Sequence, residues 1–269
     1  AMAQREPTMS TSSEEVCLST SPHALALHVG FAGSRDLGFG QLSRHHNAAR
    51  FERIVANLSD ELQGLTSRLG LHEGYFPVAL SQLAIGADSA FADACTRTGV
   101  LRRVLLPQPR DGFLDASGSS GPDFDAEQKA AAVARLAAPN VIQERVVSIS
   151  ADRRTRFREC SFEILRLSDV VITLQPRGTA TGNKPGGTNE FLAAALRHRK
   201  IVLECEFAFD ASGELQWWVT EHKSKDAVLP QLPALFDQPL PRAGFAQHLK
   251  TFASRRAKEL KRSFERRMR

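Results

Sequence analysis

Five short apolar runs constrain this chain more than any other feature. Leu25–Val29, Phe76–Leu80, Val104–Leu106, Asp169–Leu174 and Ile201–Leu203 show little polar alternation, as strands covered on both faces should. Between them lie stretches with helical spacing. Asn47 to Leu69 repeats Phe51, Ile54, Val55, Leu58, Leu62 and Leu65 at the helical period and stops at Gly70. Ala87 to Thr98 carries Phe91, Ala94 and Cys95 on one face and stops at Gly99. Phe124 to Ala138, Thr155 to Leu167 and Asn189 to His198 read as further helices. Strands that alternate with helices require right-handed crossovers and a parallel sheet. The expected fold is α/β, a Rossmann-like parallel sheet with helices on both faces. Its strands are predicted in the order 3-2-1-4-5, with Val29 and Leu174 ending side by side.

The flanking segments are of a different kind. Residues 1–21 are polar, lack the apolar stretch of a secretory signal and are predicted to be disordered. The α/β unit is expected to span residues 22–207. Within it, Pro109 to Pro122 is rich in Gly, Ser and Asp and reads as a mobile surface loop. Residues 208–242 break the rhythm as an irregular extension: Asp210–Gly213 looks like a turn before Leu215–Val219, and Pro230, Pro233, Pro239 and Pro241 follow. Over residues 243–269, Phe245, Leu249, Phe252, Leu260 and Phe264 form one stripe of a C-terminal basic amphipathic helix. No internal repeat is present.

Charge and cysteine content narrow the function classes. The net charge is +5, but Lys250, Arg255, Arg256, Lys258, Lys261, Arg262, Arg266, Arg267 and Arg269 crowd the C-terminus, so the body is near neutral. Basicity alone therefore does not make the whole chain a nucleic-acid binder, and nucleic acid is not the expected partner. Cys17, Cys95, Cys160 and Cys205 are scattered without a C-x-x-C pair, which fits a reducing, cytoplasmic setting and no structural zinc. With no apolar run of about 20 residues, nothing is predicted to span a membrane.

In an open parallel sheet, ligands bind beyond the carboxyl ends of the strands, where the strand order reverses. Three loops there carry unusual residues. After the first strand come Gly33, Ser34 and Arg35: a glycine for close approach, a hydroxyl, and a guanidinium fork for phosphate or carboxylate. After the second come Gly86, which permits a bend, and Asp88 at a helix start. Asp88 is either a helix cap or an acceptor for ribose hydroxyls, and the cap is favoured on physical grounds. After the fourth, Gly178 to Thr188 places four glycines, three threonines and Lys184 before a helix. Backbone N–H groups at such a helix start, with its dipole, make an anion site. No Gly-Lys-Ser/Thr triplet occurs, so this is not a Walker A loop. Glu190, in the first turn, is either a surface carboxylate or a ligand for sugar hydroxyls.

The ordered series Gly33-Ser34-Arg35, Ala84–Asp88, Val104–Pro107, Ser168–Val171 and Pro185–Thr188 with Glu190 resembles the SLOG superfamily. That group includes the DprA/Smf DNA-processing proteins and the LOG cytokinin-activating phosphoribohydrolases, and the resemblance covers roughly residues 25–205. It implies a modified Rossmann domain with a nucleotide pocket formed by Gly33, Ser34, Arg35, Gly86, Asp88, Gly186, Gly187, Thr188 and Glu190. It implies no bound cofactor or metal. The LOG enzymes carry Pro-Gly-Gly-x-Gly-Thr-x-x-Glu; here Thr188 follows Gly187 directly and only Asn189 precedes Glu190.

Three functions remain open on these residues. One is a sensor module for a nucleotide- or NAD-derived second messenger, as in defence-associated SLOG domains, acting as a homo-oligomer with a fused or associated effector. The second is an N-glycosidic-bond hydrolase or ribosyl transferase that uses Glu190 and Arg35 in catalysis. The third is a DprA-like binder of single-stranded DNA, for which Trp217 and Trp218 would supply stacking; core and lid packing is the simpler role for both. The basic C-terminus suits a segment beside an anionic membrane surface. Its shortened glycine motif sets this chain nearer the sensors than the LOG enzymes.

Overall fold

The computed structural model describes residues 25–39, 44–71, 75–115, 117–118, 121–178 and 187–223. The C-terminal basic helix expected over residues 243–269, the N-terminal segment 1–21 and Gly186 lie outside the described residues. Seven strands form one sheet: β1 (Leu25–Gly33), β2 (Tyr75–Ser81), β3 (Leu101–Leu106), β6 (Val141–Val146), β7 (Val170–Pro176), β8 (Ile201–Phe209) and β9 (Leu215–His222). Two short strands, β4 (Ser117–Gly118) and β5 (Gly121–Pro122), make a separate hairpin. The order is β6-β3-β2-β1-β7-β8-β9, with every pair in the main sheet parallel except β8 and β9.

The five expected strands are therefore present in their expected order, within a Rossmann-like sheet. Strand order reverses between β1 and β7, where Gly33 lies opposite Leu174. On one face, α1 (Arg44–Arg68) and α2 (Ala87–Thr98) bury Ile54, Leu58, Leu65 and Phe91 against Leu27, Val29 and Phe31. On the other, α5 (Arg153–Leu167) and α6 (Thr188–Arg197) bury Ile164, Leu165 and Phe191 against Leu80, Val171 and Val202. Cys95, Cys160 and Cys205 are buried, and burial pushes their thiols up from the usual range. They act as small hydrophobes. No helix among the described residues is long and apolar enough to cross a membrane.

Both edges of the sheet differ from the sequence-based expectation. Val141–Val146, not singled out as a strand from the sequence, pairs with β3 as an edge strand whose side chains are mostly exposed. Leu215–His222, expected in an irregular extension beyond residue 207, forms a hairpin with β8, and Leu215, Trp217 and Val219 pack onto the main core. Its turn is the expected one: Asp210 Oδ1 accepts from the N–H groups of Ser212 and Glu214, both at 2.9 Å.

The segment expected as a mobile loop over Pro109 to Pro122 is also anchored. It contains α3 (Arg110–Leu114), with Phe113 buried and edge-on to Phe124 at 5.3 Å between ring centroids. The two phenylalanines pin the loop to the apolar cluster beneath α4 (Ala126–Leu136). Asp125 and Gln128 then start α4 with a capping box.

Candidate anion-binding site at the strand-order reversal

The loop after β1 is knotted to both of its neighbours. Ser34 N–H donates to the Leu174 carbonyl at 2.9 Å, which extends the β1–β7 ladder by one bond. The Ser34 carbonyl accepts from Ala87 N–H at 3.0 Å, which ties the loop to the first residue of α2. Gly33 is required by this approach, since a Cβ there would stand 2.2 Å from the Ala87 Cβ. Gly86 is required twice over: its φ is +83°, and a Cβ would stand 2.3 Å from the Arg35 carbonyl oxygen. The Ser34 hydroxyl donates to the Asp36 carbonyl at 2.6 Å, so in this state it closes its own turn.

Asp88 does not cap α2, the role favoured for it on the sequence. Gly86 holds the N-cap position, with no side-chain cap hydrogen bond among the described residues. The Asp88 carboxylate turns back and accepts from Ala84 N–H at 3.3 Å. Burial pushes its pKa up to about 7, against the opposing pull of the Ala84 N–H and of the Arg35 guanidinium. A carboxyl group held near neutral beside an exposed arginine can either donate or accept a hydrogen bond around neutral pH.

Arg35 lies 3.6 Å from Asp123, and Arg153 also pairs with that carboxylate. Arg153 further lies over the Phe157 ring at 5.6 Å. On α6, Gly187 takes the N-cap position with extended backbone that any residue adopts, Thr188 opens the helix, and Glu190 pairs with Arg158 of α5 at 2.8 Å. Gln82, in the loop after β2, donates to Ser161 of α5 at 3.1 Å. The loop residues Gly33, Ser34, Arg35, Gly86 and Asp88 thus form one group, and Gly187, Thr188 and Glu190 a second. In the amino-terminal half of α5, Arg158 pairs with the second group, and Arg153 reaches the first only through Asp123.

That half of α5 was not expected to contribute. Sequence reasoning passed over Gln82, Asp123, Arg153, Arg158 and Ser161. One signal was available: Arg153, Arg154, Arg156 and Arg158 crowd the start of α5, with no acidic residue in its first turn. Cations there oppose the helix dipole, and the Asp152 cap with the carboxylates of Asp123 and Glu190 offsets them. Ser81 Oγ and Thr173 Oγ1, on the strands either side of β1, have no hydrogen-bond partner among the described residues. No three His, Cys, Asp or Glu side chains among the described residues are grouped as metal ligands.

No protein-family model matches this chain, and no curated protein matches it. Among solved structures, the X-ray structure of DNA processing protein A (DprA) from Streptococcus pneumoniae aligns with a TM-score of 0.38 at 16% sequence identity. The alignment covers 66% of this chain and 50% of that one, so the match spans about half the length of the solved protein.

Proposed function

We propose that this chain is a binding module for a phosphorylated, nucleotide-derived ligand, held where the strand order reverses between β1 and β7. The observation that carries this reading is the gathering of Arg35 and Arg153 around one carboxylate, beside the glycine-built start of α2. Guanidinium groups and a helix N-terminus are both suited to phosphate. The SLOG resemblance of the loops agrees with the same site. On that resemblance the ligand is a second messenger of the kind read by defence-associated sensors, with binding relayed through a homo-oligomer to an effector.

A nucleoside phosphate or NAD should bind with its phosphate on Arg35. Arg35→Ala is expected to lose about 1.5–3 kcal/mol of that affinity, the worth of a charge-assisted contact. Calorimetry with a nucleotide that binds the wild type checks this; equal affinity in the variant would make Arg35 a structural residue only.

Glu190 separates binding from hydrolysis. Stabilising an oxocarbenium-like centre needs a carboxylate directed at the sugar, whereas Glu190 is engaged by Arg158 at 2.8 Å. The expected result with nucleoside monophosphates and NAD is an intact ligand after prolonged incubation, read by mass spectrometry. Release of free base that disappears in Glu190→Gln would replace the sensor with an enzyme.

A further inference from the structure

Asp123 belongs to none of the three loops first singled out, yet two arginines of the site meet on its carboxylate. It follows directly on the β4–β5 hairpin and precedes Phe124, which is buried against Phe113. Asp125, the next residue, is fixed as the cap of α4. The backbone on its C-terminal side is therefore held, and the Asp123 side chain, only 10% exposed, reaches back to the crevice. Its two oxygens divide between two elements: Oδ1 lies 3.6 Å from Arg35 Nη2, and Oδ2 bonds Arg153 Nη2.

We propose that Asp123 is an internal stand-in for a ligand phosphate: its carboxylate holds Arg35 and Arg153 together until an anion of higher charge displaces it. The proposal rests on the phosphate-site reading above and adds a selectivity filter to it. A guanidinium fork accepts carboxylate and phosphate alike, so the incoming group competes directly with Asp123. Competition with a tethered carboxylate disfavours monoanions and carboxylates and favours groups carrying two or more charges. Both arginines can be reached from solvent, with side chains 44% and 33% exposed. Arg153 keeps its place over Phe157 when the carboxylate leaves. The expected ligand class is therefore a phosphomonoester dianion or a diphosphate, in preference to a single phosphodiester.

The test is calorimetric titration of the wild type, Asp123→Asn and Asp123→Ser with pyrophosphate, AMP and ADP at low ionic strength. Thermal melts establish that each protein is folded. Both neutral variants are expected to bind pyrophosphate roughly five- to tenfold more tightly than the wild type, and the gain should vanish when Arg153→Ala is added. Unchanged or weaker pyrophosphate binding in a folded variant overturns the proposal, as does the absence of pyrophosphate binding in all three proteins. The nucleotide reading has a separate outcome. If AMP and ADP bind the wild type and the Asp123 variants equally, the stand-in falls and the nucleotide site remains. If pyrophosphate shows the gain but adenosine adds no affinity, the stand-in remains and the nucleotide reading falls.

Discussion

Gly86→Ala should unfold about 3–5 kcal/mol more readily than the wild type. Two costs combine in this one methyl group. At φ +83° and ψ −125° the backbone lies where L side chains rarely go. The new Cβ would also meet the Arg35 carbonyl oxygen at 2.3 Å and that of Ser34 at 2.7 Å. These are backbone atoms, so no rotamer change relieves the contact, and the Ser34 carbonyl is already committed to Ala87 N–H. The loss is a large share of the ~5–15 kcal/mol that holds a domain together. It should lower the melting temperature by roughly 10 °C. Gly64→Ala, in the middle of α1 with no heavy atom of the described residues within 4 Å of the added methyl, is the matched control. There the same substitution should gain about 0.5–1 kcal/mol through helix propensity. Urea denaturation of the two variants checks the pair. A Gly86→Ala protein as stable as the wild type would mean that the loop after β1 and the start of α2 are not joined as described. A destabilised variant should also bind phosphorylated ligands less well, because relief of the clash displaces Arg35.

How far the sequence could be read follows from what each residue touches. The interior strands were legible because they are buried on both faces: Val29, Val170, Val171 and Ile172 are all fully buried, and such strands read as unbroken apolar runs. The reversal between β1 and β7 was expected as part of a Rossmann-like arrangement of those runs. The edges were not legible. β6 has one neighbour and exposes Ile142, Gln143 and Glu144, so it carries no apolar run. β9 is half covered: Leu215, Trp217 and Val219 alternate with side chains of the other face, are only partly buried and form no buried apolar run. Within the site, glycines forced by close approach stand out in a sequence because few residues can replace them, and Gly33 and Gly86 were found in that way. Ion pairs leave no such mark. Arg153 meets Asp123 across 30 residues, and Gln82 meets Ser161 across 79. Nothing local in the chain announces either contact.

The contribution of Asp88 to stability should fall as pH rises from about 4 to about 7, and Asp88→Asn should remove that fall. In the unfolded chain Asp88 ionises near its ordinary 3.8; in the folded protein burial holds its carboxyl protonated up to about 7. Between those values the unfolded state binds fewer protons than the native state, so the free energy of unfolding decreases with rising pH. Below the window both states are protonated and the contribution is complete. Above it both are ionised and the loss is constant, at about 4 kcal/mol for a shift of roughly three units. Asparagine keeps an oxygen to accept from Ala84 N–H and cannot ionise. The variant should therefore match the wild type near pH 4 and exceed its stability by a growing margin up to pH 8, approaching that full amount. Urea denaturation of both proteins at several pH values measures the margin, and a margin independent of pH would show that Asp88 ionises as freely folded as unfolded. The same titration reaches the site. Ionised Asp88 draws on Arg35 and repels an incoming phosphate, so ligand affinity in the wild type should decline above pH 7. In Asp88→Asn it should stay level, which ties the proton held by this carboxyl to the charge the crevice can accept.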